Sequence, residues 1–479
     1  MERPLPQILA HLLQQAQQAF GLPSVSASVL CGGEEAHCAL GLADREQPTA
    51  ATPDTVYAIG SSTKAFLATS LCLLAAEEKL SLDAPVRAYL PWFCLVEPQR
   101  TAELTVRDAL CHRSGLPRHD LSWLNNPGRT LAQQVEALAH LPAAWPIRTH
   151  FYYQNHMFMT ATLLVEAVSG QPWTEFVRRR ILEPLGMAYT YLFGDELADD
   201  DPHKARPYER RDGALCRMPY NYAKSVAGAG TIYASTRDML RWLRFQLTGD
   251  RRVLTLPQLA ELHRPQMLIQ EGGMFPFSFP EITFPCYGLG WFTESYRGTA
   301  IVHHGGTIDG FKSQQLFVPG RGIAVSLLCN LDQTKAVTAL GYSLLDALLD
   351  LPARDWNGRY LAEDAKAAAQ STRAAADADV QARAGALPCA APGRYAGRYR
   401  HPAYGAVAVR LQGTGLVLEL AGEAVPLTFL GADRFFYPAA HFLAPGTARF
   451  SAEADRPAVL YLPLEPALPQ PLAFCREAE

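Results

Sequence analysis

The 479-residue sequence has no block of like charge, no Cys-x-x-Cys pair and no apolar run long enough to span a bilayer. Each absence removes a class of function. The formal net charge is -4, without a basic or acidic cluster, which argues against a nucleic-acid or membrane partner. The ten cysteines are scattered, and Cys72 and Cys329 sit inside apolar runs as small hydrophobes. Neither a zinc site nor a redox motif is expected, and nothing calls for a metal or organic cofactor. The opening Met-Glu-Arg-Pro-Leu-Pro-Gln lacks a basic segment followed by an apolar one. We therefore expect no signal peptide and a cytoplasmic, reducing setting. What is present is ordinary for a folded chain: 48% hydrophobic and 19% charged residues, at a length that suggests two or three domains.

The most informative stretch is Ile59-Gly60-Ser61-Ser62-Thr63-Lys64-Ala65-Phe66, at the head of a helix-compatible apolar run over 65–80. Positions i and i+3 share a helix face, so Lys64 can set its amine beside Ser61 Oγ. A serine hydroxyl needs such a base to become a nucleophile, and burial would lower the lysine pKa enough to supply one. The helix N-terminus would offer backbone N–H groups to an oxyanion. Taken alone, the same residues also read as an N-cap serine and an exposed lysine.

Before this stretch, apolar spacing predicts a helix over 5–20, and alternation predicts strands over 24–30 and 35–42. A further strand over 55–59 leads into the serine. Helix, hairpin, strand and buried helix together suggest an α/β sandwich on an antiparallel sheet. Later helices are expected over 157–168, 173–182, 239–247 and 337–351, and strands over 287–293, 300–304, 314–318 and 323–328. The polar segment 195–217 reads as an irregular surface excursion. Residues 355–388 are alanine-rich and charged, as in a helical linker or a loose connector. From Gly393 onward, short strands at regular spacing predict a small β-barrel or sandwich with exposed edges.

Tyr153 and Asn155 stand two apart at a helix entrance, so both can face one cleft. A phenol held between cations can ionise and serve as base, then as acid. The other reading is a core aromatic beside a capping Asn. His112 reads as a structural histidine at a helix end, with a catalytic base as the alternative. Lys224, in the small-residue segment 222–230, reads as an exposed loop lysine or a contact for a substrate carboxylate. In His303-His304-Gly305-Gly306-Thr307, glycines in a strand imply that something approaches the backbone. Adjacent strand residues face opposite ways, so the two histidines are not expected to share a metal.

Ser61-x-x-Lys64, Tyr153-x-Asn155 and His304-Gly305-Gly306, in this order, resemble the serine β-lactamase and penicillin-binding-protein superfamily, in its class C-like branch. Stretches at 112–117, 183–187, 234–239 and 309–311 extend the resemblance over about residues 5 to 352. It implies an α+β fold: a β-lactamase/transpeptidase-like sandwich with an all-helical region, followed by a small barrel that looks lipocalin-like. The expected layout is a hydrolase domain over 1–352, a linker over 353–390 and the barrel over 391–479. The resemblance also implies Ser61, Lys64 and Tyr153 as catalytic, and the N–H groups of Ser61 and Thr307 as the oxyanion hole. Asn155, His304, Gly305 and Gly306 would bind substrate, with His304 contacting its carboxylate or polarising Tyr153. His304 stands where many members carry the lysine of Lys-Thr-Gly. This implies small peptide or amide substrates, as for a D-aminopeptidase or carboxypeptidase, rather than efficient β-lactam hydrolysis. An esterase or transesterase, a weak β-lactamase and a catalytically silent relative are the alternatives. The barrel would either place a loop over the cleft or build a homo-oligomer.

Overall fold

The computed structural model describes residues 4–211, 213–220, 224–270, 279–385, 387, 389, 391–451 and 457–478. Helix α1 (Leu5–Phe20) buries Leu5, Leu9, Leu13, Ala16 and Phe20 along one stripe and stops at left-handed Gly21. Strands β1 (Ser24–Cys31), β2 (Glu34–Asp44) and β3 (Thr49–Ala50) begin the main sheet. Helices α2 (Lys64–Ala76), α3 (Asn155–Ser169) and α4 (Thr236–Thr248) follow. The sheet is completed by β4 (Met267–Leu268), β5 (Ile282–Tyr287), β6 (Phe292–Tyr296), β7 (Thr299–Ile308), β8 (Phe311–Val318) and β9 (Ile323–Cys329).

Spatial order in this nine-stranded sheet is β3-β2-β1-β9-β8-β7-β6-β5-β4, with antiparallel neighbours throughout. Its central strands are buried on both faces because helices cover both. α1 and α5 (Ala336–Leu348) form one core with the sheet. α2 and α4 form the other, where Phe66 stacks on Trp242 with ring centroids 4.0 Å apart.

Three expectations need correction here. α2 ends at Ala76 rather than at residue 80, because Glu77 onward is polar and Glu78 takes a left-handed backbone. The expected strand over 287–293 is two strands. Between them Leu289 N–H donates to Leu262 O and Gly290 N–H to Leu110 O, which draws the segment off the ladder. Segment 195–217 is not simply irregular. It pairs Tyr208–Arg211 with Ala214–Arg217, and buried Arg206 meets Asp44 at 3.2 Å.

The alanine-rich stretch forms one 29-residue helix, α6 (Trp356–Ala384), capped by the Asp355 side chain. Trp356 pins its start by donating Nε1–H to Asp346 Oδ2 at 2.8 Å. Eight strands, from Gly397–His401 to Leu472–Arg476, then close into a barrel around Tyr399, Phe450 and Phe474. Closure pairs Tyr399 with Arg476 and Arg400 with Cys475, so among the described residues the barrel strands leave none of the exposed edges expected from sequence. Among the described residues, no helix is long and apolar enough to cross a membrane.

Candidate active site

Ser61 lies in a single 3-10 turn, Gly60–Thr63, that runs directly into α2. The turn rests against β7 with almost no space between backbones. A Cβ on Gly306 would lie 1.9 Å from Ile59 O. Gly60, at φ +52°, could not carry one either: it would sit 2.8 Å from Thr307 N. Ser62 and Ser313 stitch the contact. Ser62 Oγ donates to His304 O at 3.1 Å, and Ser313 Oγ donates to Ile59 O at 2.7 Å. This commits Ser62 inward and leaves Ser61 at the cavity wall.

Lys64 has no exposed surface. Its Nζ lies 3.1 Å from Ser61 Oγ, 2.9 Å from Asn155 Oδ1 and 2.6 Å from Ala229 O. Neither oxygen of the latter pair is charged. A neutral amine has two N–H groups and one lone pair. The two carbonyl oxygens take the N–H groups, and the lone pair is left for the Ser61 hydroxyl. Burial pushes the amine well below the ordinary lysine range; nearby Arg118 adds to this and Asp120 opposes it. Asn155 Nδ2 donates to Asp120 Oδ1 at 3.0 Å, and Asp120 Oδ2 accepts from Arg118 at 2.5 Å. The Arg118–Asp120 pair and the Ala229 carbonyl left no mark in the sequence, since each acts through a contact across the fold.

Tyr153 is buried against Ser61, to which its hydroxyl hydrogen-bonds. Lys64 Nζ and Arg118 Cζ lie 4.8 and 5.5 Å from its ring centroid. Sequence suggested a phenol ionised by flanking cations. The cations meet the ring face instead, and burial drives the phenol above its usual pKa despite Ser61 and Arg118. Tyr153 is therefore a neutral O–H group. His112 accepts the Gln154 N–H at 3.1 Å and packs on Tyr153, with ring centroids 4.1 Å apart, as a structural histidine would.

His304 is 1% exposed. Its Nδ1–H donates to Gly305 O at 2.6 Å, and its Nε2 accepts from Tyr287 O–H at 2.9 Å. Burial, helped by Lys64, holds its pKa at about 3. It packs beside Tyr153, with ring centroids 6.2 Å apart. A Cβ on Gly305 would lie 3.1 Å from Gln314 Oε1, and one on Gly306 would meet Ile59 O. Thr307 does line the cavity. His303 lies on the opposite face beside Glu294 at 3.3 Å, and Lys224 pairs with Asp195 at 2.7 Å. Among the described residues, no three His, Cys, Asp or Glu side chains gather as metal ligands would.

The cavity in front of Ser61 measures about 520 Å³. Asn155, Thr307 and Arg118 line it near the serine, and Trp123, Phe193 and Tyr233 give it apolar walls. The barrel adds Ala421, His441 and Phe442. It is held there by Asn125, whose Nδ2 donates to Tyr404 O at 2.7 Å and whose Oδ1 accepts the Ala421 N–H at 2.7 Å.

A serine and a buried lysine on one turn, wedged into an antiparallel α/β sandwich, are the frame of the β-lactamase and penicillin-binding fold. The chain belongs to the Beta-lactamase family, whose model matches residues 9–349. Among curated proteins it is similar to the unguisins hydrolase ungD' of Aspergillus campestris, with 31% identity over 84% of this chain and 77% of that one. Among solved structures it is similar to a D-stereospecific amidohydrolase from Streptomyces sp., at 26% identity and TM-score 0.58, covering 70% of this chain and 98% of that one. It shares its fold with an octameric penicillin-binding protein homologue from Pyrococcus abyssi, at 20% identity and TM-score 0.64, over 95% and 97% of the two chains.

Proposed function

We propose that this protein is a serine hydrolase that cleaves a small peptide or amide through an acyl-enzyme on Ser61, in the manner of a D-aminopeptidase or carboxypeptidase. The observation that carries the reading is the 3.1 Å approach of a fully buried lysine amine to Ser61 Oγ, with carbonyl oxygens on its other two sides. Ser61 Oγ attacks the carbonyl carbon while Lys64 takes the hydroxyl proton. The oxyanion meets the backbone N–H groups of Ser61 and Thr307; losing one such donor costs about 3 to 4 kcal/mol in comparable sites. The C–N bond breaks as Tyr153 O–H passes its proton to the leaving amine and is resupplied from Lys64. Water, activated along the same path, then splits the ester and restores Ser61. Asn155 spends Oδ1 on Lys64 and one N–H on Asp120, which leaves one N–H for a substrate carbonyl. The likeness to a D-stereospecific amidohydrolase supports the bond type, and the aromatic walls suit an apolar side chain.

The test is intact-mass spectrometry after exposure to a penicillin, a cephalosporin, a D-Ala-D-Ala peptide, a D-amino-acid amide and short acyl esters. A transient Ser61 adduct with a peptide or amide is the expected result. Adducts from esters alone would replace this reading with an esterase, and no adduct from any member would reject it. The pH dependence is a second expectation. Acylation needs the neutral amine, so its rate rises with pH through the lowered Lys64 pKa and levels off well below 10.5. Lys64→Arg, permanently charged, should remove the reaction at every pH. A limb centred near the ordinary lysine value would count against Lys64 as the base.

A further inference from the structure

His119 holds a left-handed backbone, φ +51°, which side chains of L-residues disfavour. It lies between Arg118 and Asp120, the pair that grips Asn155 and, through it, Lys64. Three hydrogen bonds secure it. Its N–H donates to Glu465 Oε2 at 2.7 Å, Nδ1 accepts from Tyr404 O–H at 2.8 Å, and Nε2–H donates to Pro142 O at 2.9 Å. Glu465 and Tyr404 both come from the barrel. Glu465 lies in the connection between the strands Val459–Leu462 and Leu472–Arg476 and is buried. A continuous chain therefore runs from the barrel to the lysine: Glu465 to the 118–120 turn, Asp120 to Asn155, Asn155 to Lys64.

We propose that Glu465 is a positioning residue of the hydrolytic site: its carboxyl clamps the strained 118–120 turn, and so keeps Asp120 on Asn155 and Asn155 on Lys64. This rests on the reading of Ser61 and Lys64 given above. It makes docking of the barrel a condition for an aligned base, separate from the barrel's contribution to the cavity wall.

The groups that face Glu465 are Arg118, the His119 N–H, Asp120, Tyr152 and Tyr404, with His401 beyond His119. Burial raises its carboxyl to about 7, with Asp120 adding to this and the His119 N–H and Arg118 opposing. A carboxyl raised in the fold contributes its stability below the unfolded value of 4.5, and loses that contribution as pH rises through about 7. Near neutrality the clamp thus changes from a neutral to a charged acceptor, next to the Arg118–Asp120 pair.

The experiment measures the rate at which a fluorophosphonate labels Ser61 in the full chain, from about pH 5.5 to 9, for wild type, Glu465→Gln and Glu465→Ala. Wild type should show a step near pH 7 in addition to the Lys64 limb. Glu465→Gln keeps an acceptor for His119 N–H but cannot titrate. It should lose the step and hold a plateau within about threefold of wild type. Glu465→Ala should label about tenfold or more slowly at every pH, because a turn that has lost its acceptor for His119 N–H no longer holds the base in line. If Glu465→Ala does not fold, the Glu465→Gln profile decides. A profile identical to wild type in Glu465→Gln, or wild-type labelling in folded Glu465→Ala, overturns the proposal and leaves Ser61 as nucleophile. Failure of wild type to form any Ser61 adduct overturns both.

Discussion

Ser61→Ala is expected to abolish turnover while leaving the fold intact. Removing a serine nucleophile from a site of this type costs on the order of a millionfold in rate. The stability cost is small because Ser61 Oγ sits at the cavity wall and is one of three partners of the Lys64 amine. Its neighbour provides the contrast. Ser62 is 2% exposed and its hydroxyl joins the turn to His304 O and Ser313 Oγ. Ser62→Ala should therefore lower stability by about 1 to 2 kcal/mol and still form the Ser61 adduct. Urea denaturation and peptide mapping of the labelled serine separate the two variants. Near-normal turnover in Ser61→Ala, or a label found on Ser62, would end the assignment.

Gly306→Ala is expected to damage stability and activity together. The new methyl would lie 1.9 Å from Ile59 O and 2.7 Å from Ser313 Oγ. Ile59 O is backbone in a turn already held by Ser313, so it cannot swing away. The turn and β7 must part, and Thr307 moves with β7. Overpacking of this kind costs about 3 kcal/mol or more. A displacement of about 1 Å between nucleophile and oxyanion donors costs about a hundredfold in rate. Gly128→Ala is the matched control, since nothing lies within 4 Å of its would-be Cβ. A Gly306→Ala protein with an unchanged urea midpoint and unchanged labelling of Ser61 would show that the close contact is not needed.

The nearness of Lys64 to Ser61 was legible because it is local, three residues apart on one turn. The helix over 5–20, the hairpin after it and the eight short barrel strands were legible for a related reason. Each element must put apolar residues on one face, and the period of 3.6 or 2 survives in the sequence. The glycines at 305 and 306 correctly announced a close backbone approach, but not what approaches. At Gly306 the backbone that comes close is that of Ile59. The small barrel was legible too, but the sealing of its last strand against its first was not, because a strand pattern is the same at an open edge and at a sealed one.

Two kinds of information therefore divide this protein. The sequence determined the elements, the Ser61–Lys64 pair and the family resemblance, since these depend on residues close together along the chain. The tertiary structure alone decided the electrostatics and the walls of the site. Lys64 is held below its usual pKa, and that of His304 is lowered to about 3, because segments remote in sequence bury them. Desolvation depends on everything that surrounds a group, so no local pattern encodes it. The same is true of Asp120, Ala229 and Glu465, whose effects exist only once distant backbone turns are brought within hydrogen-bond reach of one another.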